Sequence, residues 1–274
     1  MTMLASWVGV DTHAQSSAYI VSESRISWPN TDSHYDYGKK VFASKNYPDI
    51  FGYAGEVLFP SIVLAQLVEM IDAEVFFTTQ MSREEKHNKV YEKLCHAFSK
   101  YPKERSGKIV QILHISRDTT FSNYPTFSAR LFQWTSDKGW NVVIYDKPQE
   151  SGLLCVLGSN RNEFINNLVR YQTGPNKNTS RNIFHCFIDT LFNTKDTACG
   201  GAPQLVGMIR KPHSSGINFG IVYQNKRYYL GLELTKDAEY DNIEWRNELF
   251  ELTNGNTKKR LDSAAKQPDP LRRH

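Results

Sequence analysis

The order in which strand-like and helix-like segments follow one another most constrains what this chain can fold into. Strands cluster and helices pair, ββ ββ αα ββββ αα βββ, with no internal repeat and no obvious linker. Residues 4–10 and 17–26 are β-prone, and Asp11-Thr12-His13-Ala14-Gln15-Ser16 between them predicts a hairpin turn. Residues 41–43 and 50–54 predict a second hairpin. The run SIVLAQLVEMID follows Pro60 and repeats Ile62, Val63, Leu67, Met70 and Ile71 at helical spacing. Ser82-Arg83-Glu84-Glu85 predicts a capping box for a second helix to about Ser99, with Val90, Leu94 and Phe98 on one face. After Pro102 come four strand-like runs (KIVQILHIS, ARLFQWTS, WNVVIYD, GLLCVLG), two helices over 162–171 and 180–192, and three more strands (QLVGMIRK, GINFGIVY, KRYYLGLEL). A parallel doubly wound sheet needs strands and helices to alternate. This order predicts instead an α+β fold in which two antiparallel sheets lie between helical layers.

Composition narrows the function classes. The chain has 274 residues, 40% of them hydrophobic, enough for one large domain or two small ones. No apolar run approaches the ~18 residues of a membrane span, and the N-terminus lacks the basic, apolar and small-residue order of a signal peptide. Cys95, Cys155, Cys186 and Cys199 are scattered without CxxC spacing. They offer no disulfide or metal framework, no cofactor is expected, and a reducing cytoplasm is the expected compartment. The net charge is +4, and residues 255–274 alone carry six Lys/Arg against two Asp. That segment has few apolar residues and two prolines, and so predicts a disordered basic tail. Such a tail can touch an acidic partner, but a solvated tail is the simpler reading and nucleic acid is not an expected partner. Residues 238–254 predict an amphipathic terminal helix docked on the core. The expected organisation is therefore a domain over 2–237, a helix over 238–254 and a tail over 255–274.

The chain begins Met1-Thr2. Removing Met1 would leave Thr2 with a hydroxyl and a free α-amine on one residue. An α-amine has a pKa of about 8, so it can act as the base for its own side chain. Other segments supply groups that suit such a nucleophile. Ala18-Tyr19-Ile20-Val21-Ser22-Glu23-Ser24-Arg25 ends a strand in an acidic residue. Gly38-Lys39-Lys40-Val41-Phe42 places a lysine before an apolar one. Phe51-Gly52-Tyr53-Ala54-Gly55-Glu56 turns before the first long helix. Leu157-Gly158-Ser159-Asn160 opens the third helix, and Asp196-Thr197-Ala198-Cys199-Gly200-Gly201 precedes the last strands.

These motifs, in this order, resemble those of the proteasome family of N-terminal-nucleophile hydrolases, including its bacterial HslV and Anbu types. The intervals of 17 residues from Glu23 to Lys40 and 15 from Lys40 to Gly55 are similar to the family's. The resemblance spans roughly residues 2–235. It implies a four-layer αββα sandwich and a threonine peptidase in which Thr2 Oγ attacks and its α-amine shuttles the proton. Lys40 would lower the pKa of that hydroxyl and amine, and Glu23 would orient Lys40. Gly55 N–H would stabilise the oxyanion, and Ser159 and Asp196 would fix the terminal amine. The resemblance further implies a peptide or unfolded-protein substrate, a ring or helical homo-oligomer and, as for many members, an ATPase partner.

The sequence also departs from the family. Glu23 stands where the family has Asp, Cys199 replaces its serine, and the hairpin between Val10 and Tyr19 is longer. Aligning Ser6-Trp7-Val8-Gly9-Val10 with the family's first strand would put Ala5 at the nucleophile position; the chain would then be an inactive structural subunit, or Ser6 would have to be released by self-cleavage. A small-molecule amidase on the same fold is a third reading. Residue by residue, Lys40 and Glu23 also fit a surface ion pair, Ser159 a helix cap, Gly55 a turn and Cys199 a small buried residue. His13, His34 and His114 stand isolated and receive no role.

Overall fold

The computed structural model describes residues 2–28, 32–102, 109–118, 126–145, 150–173, 176–211 and 214–265. In chain order the elements are β1 (Met3–Val10), β2 (Gln15–Ser22), β3 (Ile26–Ser27), β4 (His34–Tyr35), β5 (Val41–Ala43), β6 (Asp49–Gly55), α1 (Leu58–Asp72) and α2 (Arg83–Ser99). Then follow β7 (Ile109–Arg117), β8 (Phe127–Thr135), β9 (Gly139–Tyr145), β10 (Gly152–Gly158), α3 (Arg161–Tyr171), α4 (Ser180–Asn193), β11 (Gln204–Ile209), β12 (Ile217–Tyr223), β13 (Lys226–Tyr229), β14 (Leu232–Glu233), β15 (Trp245–Arg246) and β16 (Leu252–Thr253). Both expected hairpins and both expected helix pairs form. Ser82 and Glu85 close the expected capping box on α2. No helix among the described residues is long and apolar enough to cross a membrane.

The strands make a nine-stranded sheet, ordered β10-β1-β2-β11-β12-β13-β14 with β15 beside β12 and β16 beside β15, and a five-stranded sheet, β5-β6-β7-β8-β9. β3 and β4 pair separately. Side chains alternate across an extended chain, and this alternation divides the core. Met3, Ala5 and Trp7 of β1 join Tyr19 and Val21 of β2 against Phe164 of α3 and Phe187 of α4. The intervening Leu4 and Val8, with Ile20 and Val206, pack on Val41, Ile50, Leu113 and Ile115 of the five-stranded sheet. That sheet's other face carries Phe51, Tyr53, Val110 and Ile112, covered by Leu64 and Leu67 of α1 and Val90 and Leu94 of α2. Each fully buried Val, Leu, Ile or Phe contributes about 1.5–3 kcal/mol relative to exposure. The result is a mixed α/β fold of antiparallel sheets with four helices among the described residues.

Polar groups are buried in the same interior. Lys86 Nζ lies 3.0 Å from Asp49 Oδ2, and His114 Nε2 lies 2.9 Å from Asp49 Oδ1. His114 Nδ1 meets His87 Nδ1 at 2.9 Å, and His87 Nε2 meets Ser128 Oγ at 2.8 Å. His114, isolated in the sequence, thus belongs to a five-residue chain joining α2 to the five-stranded sheet.

Two expectations fail at the C-terminal end. Residues 238–254 form no helix. β15 instead pairs in parallel with β12 through Gly220↔Trp245 and Ile221↔Arg246, so the sheet is not wholly antiparallel. Local side-chain bonds explain the change. Asn247 Oδ1 accepts from the Leu249 and Glu251 amides at 3.0 and 2.9 Å, an alternative to helical bonding that asparagine favours. Phe250, at φ +63°, then turns the chain back. The tail is also not disordered at its start. Leu261 N–H donates to the Leu252 carbonyl, Arg227 Nε donates to the Gly255 carbonyl, and Ala264 is buried. Residues 238–265 therefore continue the large sheet and are no separate helix and tail. The remainder of the expected tail, 266–274, lies outside the described residues.

Candidate active site

Strand register brings the start of β1 to the ends of β2 and β10. Met3 pairs with Gly158 across β1–β10. On the other side, Glu23 N–H donates to the Met3 carbonyl at 3.3 Å, one step beyond the Leu4↔Ser22 pair. Gly158 adopts φ +95°, and a Cβ there would stand 1.7 Å from the Thr2 carbonyl oxygen. Only glycine permits that approach.

Lys40, immediately before β5, reaches the same place. Its Nζ donates to Thr2 Oγ1 at 3.3 Å and to the Arg25 carbonyl at 2.5 Å. It also forms an ion pair with Glu23 Oε1, and both side chains are fully buried. This is not the surface pair that the sequence also allowed. The other carboxylate oxygen, Glu23 Oε2, accepts from the Arg25 and Gly200 amides at 2.5 and 3.4 Å. Burial pushes the Glu23 carboxyl above its usual range, opposed by Lys40 and by those two amides. Arg25 is itself held by a bidentate bond to Asp36 at 2.7 and 2.9 Å, which fixes the carbonyl that receives Lys40.

A residue that sequence reasoning missed ties this pair together. The buried Gln204 accepts from Lys40 N–H at 2.9 Å and donates to the Glu23 and Gly38 carbonyls at 3.1 and 2.8 Å. Nothing in the run QLVGMIRK marked it, because its partners are backbone atoms more than 160 residues away.

Thr2, Gly55 and Ser159 line a common cavity of about 660 Å³. Gly55 has φ +90°, and a Cβ on it would meet the Ile109 carbonyl oxygen at 2.5 Å. Ser159 does not cap α3; Asn160 holds that position. Ser159 Oγ donates instead to Asp196 Oδ2 at 2.6 Å, and Asp196 Oδ1 accepts the Ala198 amide at 3.0 Å. Thr2, Lys40 and Glu23 are thus in direct contact, Gly55 and Ser159 border the cavity, and Asp196 joins through Ser159. Ala5 sits within β1, paired with Val21 and Val156, in the core against α3 and α4. Cys199 is buried, and burial pushes its thiol far above the usual range. Among the described residues no three His, Cys, Asp or Glu side chains gather as metal ligands.

The sheets and helices together form a proteasome-like fold. Solved structures with a similar fold include the Anbu (Gly-1) mutant from Hyphomicrobium sp. strain MC1, with a TM-score of 0.52 and 13% identity over 87% of this chain and 89% of that one. Another is Anbu (ancestral beta-subunit) from Yersinia bercovieri, with a TM-score of 0.50 and 14% identity over 86% and 89% of the two chains. At these identities the likeness is one of fold. No protein-family model and no curated protein matches the sequence.

Proposed function

We propose that this chain is a proteasome-like threonine peptidase built as a four-layer αββα sandwich, with Thr2 as nucleophile once Met1 is removed. The observation that carries the reading is the placement of Lys40 Nζ 3.3 Å from Thr2 Oγ1 while it is paired with buried Glu23. Thr2 Oγ attacks the scissile carbonyl and its proton passes to the α-amine. The Lys40 charge beside Thr2 Oγ1 favours the ionised hydroxyl. The oxyanion is held by the Gly55 amide, worth about 3 kcal/mol for one such donor. The α-ammonium then protonates the leaving amine, an ester remains on Thr2, and water activated by the same amine hydrolyses it. Ser159 and Asp196 orient the amine. The Anbu likeness supports assembly of several copies; an ATPase partner and a peptide or unfolded-protein substrate belong to the same proposal.

The test joins mass and turnover. Active protein is expected to have the mass of a Thr2-initiated chain, and Thr2→Ala is expected to abolish peptide hydrolysis. Hydrolysis by protein that retains Met1 would overturn the mechanism. Thr2 is wholly buried, which favours one second reading: while Met1 remains, the chain is a non-catalytic subunit of an assembly. Cleavage of small amides with peptides untouched would instead make the site an amidase.

A further inference from the structure

The walls of the cavity beside Thr2 are of a narrow chemical kind. It lies between β10, an edge strand of the nine-stranded sheet, and β7, β8 and β9 of the other. Ile109, Leu131, Val143, Leu153, Leu157 and Ile165 give it an aliphatic lining. Two neutral amides, Gln111 and Gln133, also line it and stand directly opposite each other in the β7–β8 ladder. The period of two along the strands places them on the face that carries Leu113 and Leu131, toward the other sheet. Among the described residues neither amide has a hydrogen-bond partner. Among the described residues no carboxylate lines the cavity, and the one basic group that does is Arg161.

We propose that this cavity binds the part of a peptide or amide substrate that bears a large neutral apolar side chain, with Gln111 and Gln133 bonding the amide group beside it. A half-buried polar amide surrounded by aliphatic groups gains most from a ligand that supplies both a matching amide and apolar surface. Lysine or arginine entering here would find no carboxylate among the described lining residues and would meet Arg161. A glutamate would lose its hydration, with Arg161 alone among the described lining residues to offset the loss. The volume of about 660 Å³ falls within the ~300–1,000 Å³ typical of small-ligand sites, room for a side chain together with its flanking amides. Placing this subsite next to the bond that is cut rests on the proposed role of Thr2; binding itself does not.

The experiment is calorimetric titration of the full-length protein with three acetylated tripeptide amides, Ac-Ala-Leu-Ala-NH2 and its Glu and Lys counterparts, beside hydrolysis assays of the same three. The leucyl peptide is expected to bind at least tenfold more tightly than the other two, within the roughly 10–200-fold that apolar pockets discriminate. Val143→Trp, which fills the cavity, and the double change Gln111→Leu with Gln133→Leu are each expected to weaken leucyl binding at least tenfold while thermal melting stays cooperative. Equal affinities, or no binding of any peptide, overturn the proposal; so does leucyl binding that survives both sets of changes. Selective binding without cleavage preserves the cavity assignment and sinks the peptidase reading. Cleavage without selectivity does the reverse.

Discussion

Gly158 and Thr2 are in backbone contact: the space where a Cβ on Gly158 would lie is occupied by the Thr2 carbonyl, 1.7 Å from that position. Gly158→Ala must therefore both adopt a φ of +95° and push Thr2 away from Lys40. The expected cost is about 1–3 kcal/mol from backbone strain, with displacement adding to it, and peptide turnover is expected to fall with it. Gly152→Ala, at the other end of the same strand, meets open space and is expected to stay within about 0.5 kcal/mol of the parent. Urea midpoints of the two variants make the comparison. Equal midpoints would show that Gly158 does not constrain Thr2.

The Lys40–Glu23 pair is the second test. Lys40→Met leaves a buried carboxylate without its counter-charge, for which about 3–5 kcal/mol of destabilisation is expected. Adding Glu23→Gln to Lys40→Met is expected to recover part of that loss, because the second change removes the stranded charge. A double-variant cycle by chemical denaturation measures the coupling. Strictly additive losses would mean that the two side chains do not sense each other.

Gln204→Met keeps the length of the side chain and removes its amide. Three buried backbone groups, on Lys40, Glu23 and Gly38, lose their partner. Each unpaired buried group costs about 1–3 kcal/mol. The variant is expected to unfold at a clearly lower denaturant concentration and, if folded, to turn over peptides more slowly. An unchanged midpoint would reduce Gln204 to a spectator.

The histidine chain predicts a dependence on pH. When Asp49 accepts from His114 Nε2, His114 Nδ1 must accept from His87 Nδ1, and His87 Nε2 accepts the Ser128 hydroxyl. An extra proton on His114 Nδ1 sets N–H against the N–H of His87, whereas one on His87 Nε2 displaces the Ser128 hydroxyl hydrogen and buries an uncompensated charge. Burial holds both imidazoles below their usual range; Lys86 and Arg130 nearby add to this, while the Asp49 bond opposes it at His114. The unfolded chain takes up these protons as pH falls through about 6.5, and the folded chain does not. Stability is therefore complete above that value and is lost as pH falls from about 6.5 toward the depressed folded values, by up to about 1.4 kcal/mol per pH unit for each histidine. Denaturation at pH 7.5, 6.5 and 5.5 measures the slope. His87→Gln is expected to be less stable at pH 7.5 but to show a shallower slope; an unchanged slope would exclude this chain as its source.

The sequence made the strand and helix order up to about residue 235 readable because alternation and helical spacing are local. β1 shows this, with Trp7 and Val8 adjacent in sequence yet in different cores. The candidate site was readable through motifs around Glu23, Lys40, Gly55, Ser159 and Asp196. Their mutual contacts depend on register, which spacing in sequence does not express. Lys86 and His87 lie on a helix whose polar residues predict a wet face, yet both are fully buried, because their partners come from β6, β7 and β8. Residues 238–254 misled for the opposite reason: a local Asn247 turn overrode an amphipathic pattern that nothing else contradicted.

The parallel pairing of β15 has a consequence for solubility. β11 bonds only the first half of β12, from Ile217 to Phe219, and β15 takes over alongside Gly220 and Ile221. Without that segment the second half of β12 would present a bare row of amides and carbonyls, and Trp245 would no longer cover Gly220. Such an edge is a template for pairing with another chain. The residues after β14 thus cover a short stretch of backbone edge that would otherwise stand open to pairing.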